Sequence, residues 1–138
     1  MGSILVDTGI LYAIADRDDT WHERTRIFLE NNTDALIVPV TVVPEACYLL
    51  NSYLGQDAEQ SFITSITRGE MRVEGLLNKD FARSLELLQT YASANVGFVD
   101  ASVIALAERL NIRRLLTTDR RHFSFIRPHN LPAFILLP

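Results

Sequence analysis

The feature that most constrains this chain is the alternation of short aliphatic runs with longer stretches of helical period. Five runs have strand character: Ile4 to Thr8, Ala35 to Val40, Met71 to Leu76, Arg114 to Thr118 and Phe134 to Leu137. Strands separated by helix-length segments cannot close as tight hairpins and need crossover connections. The predicted architecture is therefore an α/β sandwich, with a mainly parallel sheet of about five strands covered by helices on both faces.

Capping signals set the expected helix starts. Thr20 with Glu23 and Asp57 with Gln60 fit capping boxes, and Asn78 fits a cap for the segment through Leu88. Pro44, tolerated in a first turn, is expected to open the helix containing Ala46, Leu49 and Leu50, with Gly55 just past its end. Asp100 is expected to open the last helix, where Val103, Ala107 and Leu110 share a face with Leu106 beside them. The 138 residues show no linker-like tract or internal repeat, and 48% are hydrophobic, so one domain spanning 1–138 is expected. No run approaches the roughly 18 apolar residues of a membrane span, and the start lacks a secretory pattern, so a soluble, cytoplasmic protein is expected. Cys47, the one cysteine, sits in an apolar stretch and reads as an inert, buried thiol.

Parallel strands joined by right-handed crossovers bring their carboxyl ends to one edge, where ligands bind in such sheets. Asp7 follows Leu5-Val6, Asp119 follows the run through Thr118, Glu45 lies in the first turn after the second strand, and Asp100 begins the helix leading to the fourth. All four acids are thus predicted at the same edge. Each also has a plain structural role to set against this. Asp100 fits a helix N-cap worth about 1 kcal/mol, and Glu45 fits the helix dipole. Asp7 and Asp119 are harder to explain so, because Asp is depleted in strands.

Four clustered carboxylates repel, by about 4 kcal/mol for a pair of unit charges 4 Å apart at an effective dielectric of 20. No Lys or Arg neighbours Asp7, Glu45 or Asp100 in sequence. Mg²⁺ or Mn²⁺, which prefer oxygen ligands, are the expected counter-ions. Zinc is disfavoured, because His22, His122 and His129 lack ligand spacing and there is no second cysteine.

The segments that carry these acids also resemble a known family. Val6-Asp7-Thr8-Gly9, Pro44-Glu45-Ala46, Phe98-Val99-Asp100-Ala101 and Thr117-Thr118-Asp119-Arg120-Arg121-His122-Phe123 are similar, in order and over essentially the whole chain, to PIN-domain nucleases, especially VapC-type toxins. The stretch Ala15 to His22 also looks like that family's loop after its first helix. The resemblance implies a three-layer α/β/α fold, Mg²⁺- or Mn²⁺-dependent endoribonuclease activity, inhibition by a cognate antitoxin, and homodimerisation. It makes Asp7, Glu45, Asp100 and Asp119 the acidic quartet, with Thr8 and Thr118 in support. Thr118 would position a water or merely satisfy the strand end.

The expected chemistry is in-line attack of a metal-activated water on an RNA phosphodiester, leaving a 5′ phosphate and a 3′ hydroxyl. Net charge is −4, against a generic polyanion binder, yet Arg109 to Arg127 holds six arginines and one acid. Arg113, Arg114, Arg120, Arg121 and Arg127 are therefore candidate RNA contacts. Two rivals stand beside this: a PIN-type scaffold without catalysis, and a haloacid-dehalogenase-like phosphatase with Asp7 as nucleophile. The second lacks the Asp-x-Asp pattern, since position 9 is Gly. The helical stretch Cys47 to Leu54 is apolar nearly all round, which fits either a partner groove or a buried core helix.

Overall fold

A computed structural model describes residues 2–138. In chain order the elements are β1 (Ser3–Val6), α1 (Thr8–Ala15), α2 (His22–Asn31), β2 (Ala35–Pro39), α3 (Val42–Leu54), α4 (Gln56–Thr67), β3 (Arg72–Glu74), α5 (Asn78–Thr90), a 3-10 turn (Ala92–Ala94), α6 (Phe98–Leu110), β4 (Arg114–Leu116), α7 (Arg120–Phe125) and β5 (Ile135–Leu137). The five strands form one sheet of order β3-β2-β1-β4-β5, with every neighbouring pair parallel. Leu5 in central β1 lies opposite Ile37 on one side and Leu115 on the other.

Strand β1 is apolar because both its faces are covered: Ile4, Leu5 and Val6 are at most 1% exposed. Helices α1 to α4 pack among themselves and α5 packs on α6, while β2 touches both α3 and α6. This is the three-layer α/β/α arrangement. Helix α6 is buried along seven consecutive residues, Ala101 to Ala107, and its alanines let it fit between the sheet and α5. No helix among the described residues is long and apolar enough to cross a membrane.

Several helix starts differ from expectation, each for a local reason. Helix α2 begins at His22, and Asp19 rather than Thr20 receives the Trp21 N–H. Helix α4 starts at Gln56 directly after Gly55, whose φ of 96° turns the chain sharply, so no capping box forms at Asp57. Asn78 is the first residue of α5, not its cap, and Asp80 accepts the Leu77 N–H instead. Helix α3 opens at Val42, two residues before Pro44, which still falls within the first turn. Thr8 starts α1 rather than ending a strand, and α6 is followed by the short α7. Helix α3 is not a buried core helix, because Tyr48 and Tyr53 are each 71% exposed.

Candidate functional site

Strands β1 and β4 are neighbours at the centre of the sheet, and the chain leaves them in opposite directions, β1 toward β2 and β4 toward β5. Beyond their carboxyl ends lies the crevice where such sheets bind ligands. Asp7 follows β1 directly and caps α1: its Oδ1 accepts the Thr8 N–H at 2.8 Å. Its Oδ2 accepts the Thr117 hydroxyl at 2.9 Å, from the residue after β4. The same Thr117 oxygen accepts the Asp119 N–H at 2.9 Å, so one buried hydroxyl ties both acids to both strands. Thr8 donates its hydroxyl to Glu45, which brings the first turn of α3 to the end of β1. The Thr41 and Ser102 hydroxyls, 2.6 Å apart, join the start of α3 to the start of α6.

Asp119 caps α7, its Oδ1 accepting the His122 N–H at 3.1 Å. Its Oδ2 stands 2.8 Å from His122 Nδ1, and Asp100 Oδ2 stands 3.5 Å from the same nitrogen. Helix α6 begins at Phe98 with Gly97 as its cap, and no side chain caps it. The capping role set against Asp100 is therefore not the one it plays. Its carboxylate faces the other acids, while Asp7 and Asp119 are the ones that cap.

The electrostatics follow from this crowding. Burial, then the charges of Asp7 and Asp119, push the Asp100 carboxyl up to about 7, against a partial offset from His122. Burial also raises Asp7, which is 7% exposed, although the Thr8 and Thr117 hydrogen bonds oppose it. The hydrogen bond to Asp119 raises His122. Among the described residues no Lys or Arg pairs with Asp7, Glu45, Asp100 or Asp119, and His122 is the one basic group within ion-pair distance of any of them. A partly buried oxygen-rich set whose charges lack Lys or Arg partners fits a hard divalent cation. Ligand atoms of Asp100, Asp119 and His122 all lie within 4.8 Å of one another, close enough to share one ion.

Residues 4–127 match the PIN domain family. The chain belongs to that family. This PIN domain is 30% identical over 135 residues to ribonuclease VapC26 of Mycobacterium tuberculosis (strain ATCC 25618 / H37Rv), covering 98% of this chain and all of that one. Its fold is similar to that of the M. tuberculosis sarcin-ricin loop cleaving toxin VapC20 (TM-score 0.79, 22% identity, 89% of this chain and 96% of that one). It is also similar to a toxin–antitoxin complex from Klebsiella pneumoniae (TM-score 0.71, 20% identity, 96% and 95% covered).

Within this PIN domain the four predicted acids converge, and Thr8 meets Glu45. The other supporting residue behaves differently. Thr118 packs its hydroxyl against Gly9, where an added Cβ would sit 2.1 Å from Oγ1, so a side chain at position 9 would force the Thr118 hydroxyl aside where α1 meets the end of β4. Thr117, which sequence reading passed over, makes the bonds to the acids. His122 was set aside for want of ligand spacing, yet it enters the cluster because one turn of α7 separates it from Asp119. An acid at a helix start with His three residues on was the available signal. His22 instead meets the Ala13 carbonyl through Nδ1.

The candidate RNA contacts divide. Arg113 and Arg114 stand at the amino end of β4, the opposite edge from the acids, where Arg113 bonds the Ala133 carbonyl and Arg114 pairs with Asp34. Arg120 and Arg121 are exposed in the first turn of α7, beside Asp119, and exposed Arg127 lies just past that helix. The Arg120 guanidinium lies 5.5 Å from the Trp21 ring centroid, and Arg24 lies 4.1 Å from the same ring. Neither Arg24 nor Trp21 was expected here, because the stack joins α2 to α7 across almost 100 residues of sequence.

Proposed function

We propose that this chain is a metal-dependent endoribonuclease of the VapC toxin type, acting on RNA in the cytoplasm. The observation that carries the reading is the meeting of Asp7, Glu45, Asp100 and Asp119, from four separate segments, at the crevice between β1 and β4, with no Lys or Arg among the described residues to neutralise them. The ribonuclease name of the 30% identical relative supports it.

Asp7, Asp100 and Asp119 would hold Mg²⁺ or Mn²⁺, with Glu45 anchoring a further water or a second ion. The cation would acidify a water for attack and stabilise charge on the phosphoryl and departing 3′ oxygens. The protein's part is preorganisation. Thr8 and Thr117 fix the Asp7 carboxylate, Thr8 holds Glu45, and the α7 cap fixes Asp119, so the oxygens need little rearrangement when the substrate arrives. Arg120 and Arg121 would draw the RNA backbone toward an otherwise acidic edge, while Thr118 supports the site by packing on Gly9.

A cognate antitoxin and a second copy of the chain are the protein partners in this reading. The Klebsiella complex supports the first. The aromatic side of α3, with Tyr53 edge-on to Tyr12 and Tyr48 exposed, offers apolar surface for either.

The test is incubation of total cellular RNA with purified protein, with and without Mg²⁺ or Mn²⁺ and with chelator, followed by mapping of new 5′ ends. New 5′-phosphate ends that appear only with metal are expected. Asp7→Asn should abolish them while the far-UV circular dichroism stays unchanged. Cleavage at the native rate by Asp7→Asn would refute the assignment.

A further inference from the structure

The His122 ring is held from both sides. Its Nε2 stands 3.2 Å from the Ala94 carbonyl, and a carbonyl oxygen can only accept, so Nε2 carries a proton and donates it. That bond aims Nδ1 at the acids, 2.8 Å from Asp119 Oδ2 and 3.5 Å from Asp100 Oδ2. Without metal, Nδ1 shares a proton with Asp119 Oδ2; a divalent cation entering there would displace that proton and meet one nitrogen and two carboxylate oxygens.

Two features fit a ligating histidine. Atoms bound at right angles about 2.1 Å from one ion stand about 3 Å apart, and the two distances to Nδ1 bracket that value. A ligating histidine also almost always donates its other ring N–H to a carbonyl or carboxylate, which fixes tautomer and orientation. Here the acceptor is Ala94, in the 3-10 turn that precedes the helix bearing Asp100.

We propose that His122 is itself a ligand of the divalent ion, through Nδ1, and that this nitrogen makes the site select Mn²⁺ over Mg²⁺. The proposal rests on the reading of the acid cluster as a metal site and adds the identity of the ion. Mg²⁺ takes hard oxygen ligands, whereas a nitrogen ligand raises affinity for first-row transition ions, among which Mn²⁺ is the one that also suits carboxylate and water. Asp119 suits the arrangement, because its Oδ1 is committed to the α7 cap and its Oδ2 remains for the ion.

Two measurements test this without recourse to cleavage. Pulsed electron paramagnetic resonance on wild-type protein loaded with Mn²⁺ should show coupling to a directly bound ¹⁴N, replaced by ¹⁵N coupling after histidine-selective labelling. Calorimetric titration of metal-free protein with MnCl₂ and, separately, MgCl₂ should give tighter Mn²⁺ binding. His122→Gln should weaken Mn²⁺ by about 10- to 100-fold, the range for losing a group that supports a bound metal, and weaken Mg²⁺ far less. Mn²⁺ bound with no nitrogen coupling would overturn the proposal while leaving the acidic site standing. An equal loss of both ions in His122→Gln would overturn the selectivity. Failure of the wild-type protein to bind either ion would remove the metal site altogether, and this inference with it.

Discussion

Two places in this molecule bury aspartates, and they treat them in opposite ways. At the α5–α6 contact, Asp80 is 2% exposed, and its carboxylate accepts from Arg109 Nε at 2.9 Å and from the Leu77 N–H at 2.8 Å. Nearby, Glu108 takes both a bond of 2.8 Å and one of 3.1 Å from Arg83. At the carboxyl edge of the sheet, Asp7 is nearly as buried and Asp100 largely so, yet the described residues supply hydroxyls, backbone N–H groups and one imidazole, but no Lys or Arg. Burial of a charge costs several kcal/mol unless it is answered. Where the acid is structural the fold supplies the answering arginine; at the sheet edge, among the described residues, it supplies none, and burial and mutual repulsion raise the Asp7 and Asp100 carboxyls instead.

The contrast is broken most directly by removing one acid from each region. Asp80→Ala would leave Arg109 mostly buried without its main partner and should lower the unfolding free energy by about 3 kcal/mol, read from urea denaturation. Asp100→Asn removes a charge that only His122 partly offsets among the described residues, so at pH 8 with chelator it should unfold no more easily than wild type, while losing divalent-ion binding. Equal destabilisation by both would mean the two regions are electrostatically alike, and the case for a cation site would fall.

That difference was only half legible in the sequence. The edge location of Asp7, Glu45, Asp100 and Asp119 followed from strand and helix order, because a parallel sheet has one carboxyl edge whatever its side chains do. The pairing of Asp80 with Arg109 did not, since 29 residues and a helix–helix contact lie between them. For the same reason Arg114 read as a possible RNA contact, although Asp34 at the start of β2 engages it. Thr117 and Thr118 show the finer limit. Adjacent residues past a strand face different ways, and the turn after β4 decides which one meets the acids and which meets Gly9. Capping assignments slipped where several Asp and Thr candidates stood close together, as at Asp19 and Thr20.

A smaller effect sharpens the comparison through pH. Asp100, Asp7 and His122 all have folded-state values raised above their unfolded ones. The metal-free folded state therefore holds more protons than the unfolded chain, and its stability must fall as pH rises from about 4, the ordinary carboxylate range, through about 7. The acids shifted the other way, Asp16 and Glu23, titrate below that window. In chelator, the thermal midpoint should be higher at pH 5 than at pH 8. Saturating Mn²⁺ should reverse the gradient, because the ion binds the deprotonated carboxylates of the folded state. A metal-free midpoint that rises between pH 5 and pH 8 would contradict the raised carboxyls.

The smallest effect concerns the arginines, which divide as the acids do. Arg83 and Arg109 are engaged by carboxylates, whereas Arg24 and Arg120 lie against the Trp21 ring beside the acidic edge, with one Arg120 nitrogen also donating to the Pro138 carbonyl at 2.7 Å. Stacking on an indole orients a guanidinium without occupying all its N–H donors, which leaves donors for phosphate. Arg24→Ala and Arg120→Ala, each in an Asp7→Asn background that binds RNA without cutting it, should reduce the slope of log affinity against log salt by about 0.7, one single-strand phosphate contact apiece. Arg113→Ala, at the opposite edge, should leave the slope unchanged. Fluorescence anisotropy with a labelled single-stranded RNA at several salt concentrations reads all three. If Arg113→Ala flattened the slope as much as Arg120→Ala, RNA would be held at both edges of the sheet, and the separation of structural from functional charge would not extend to the cations.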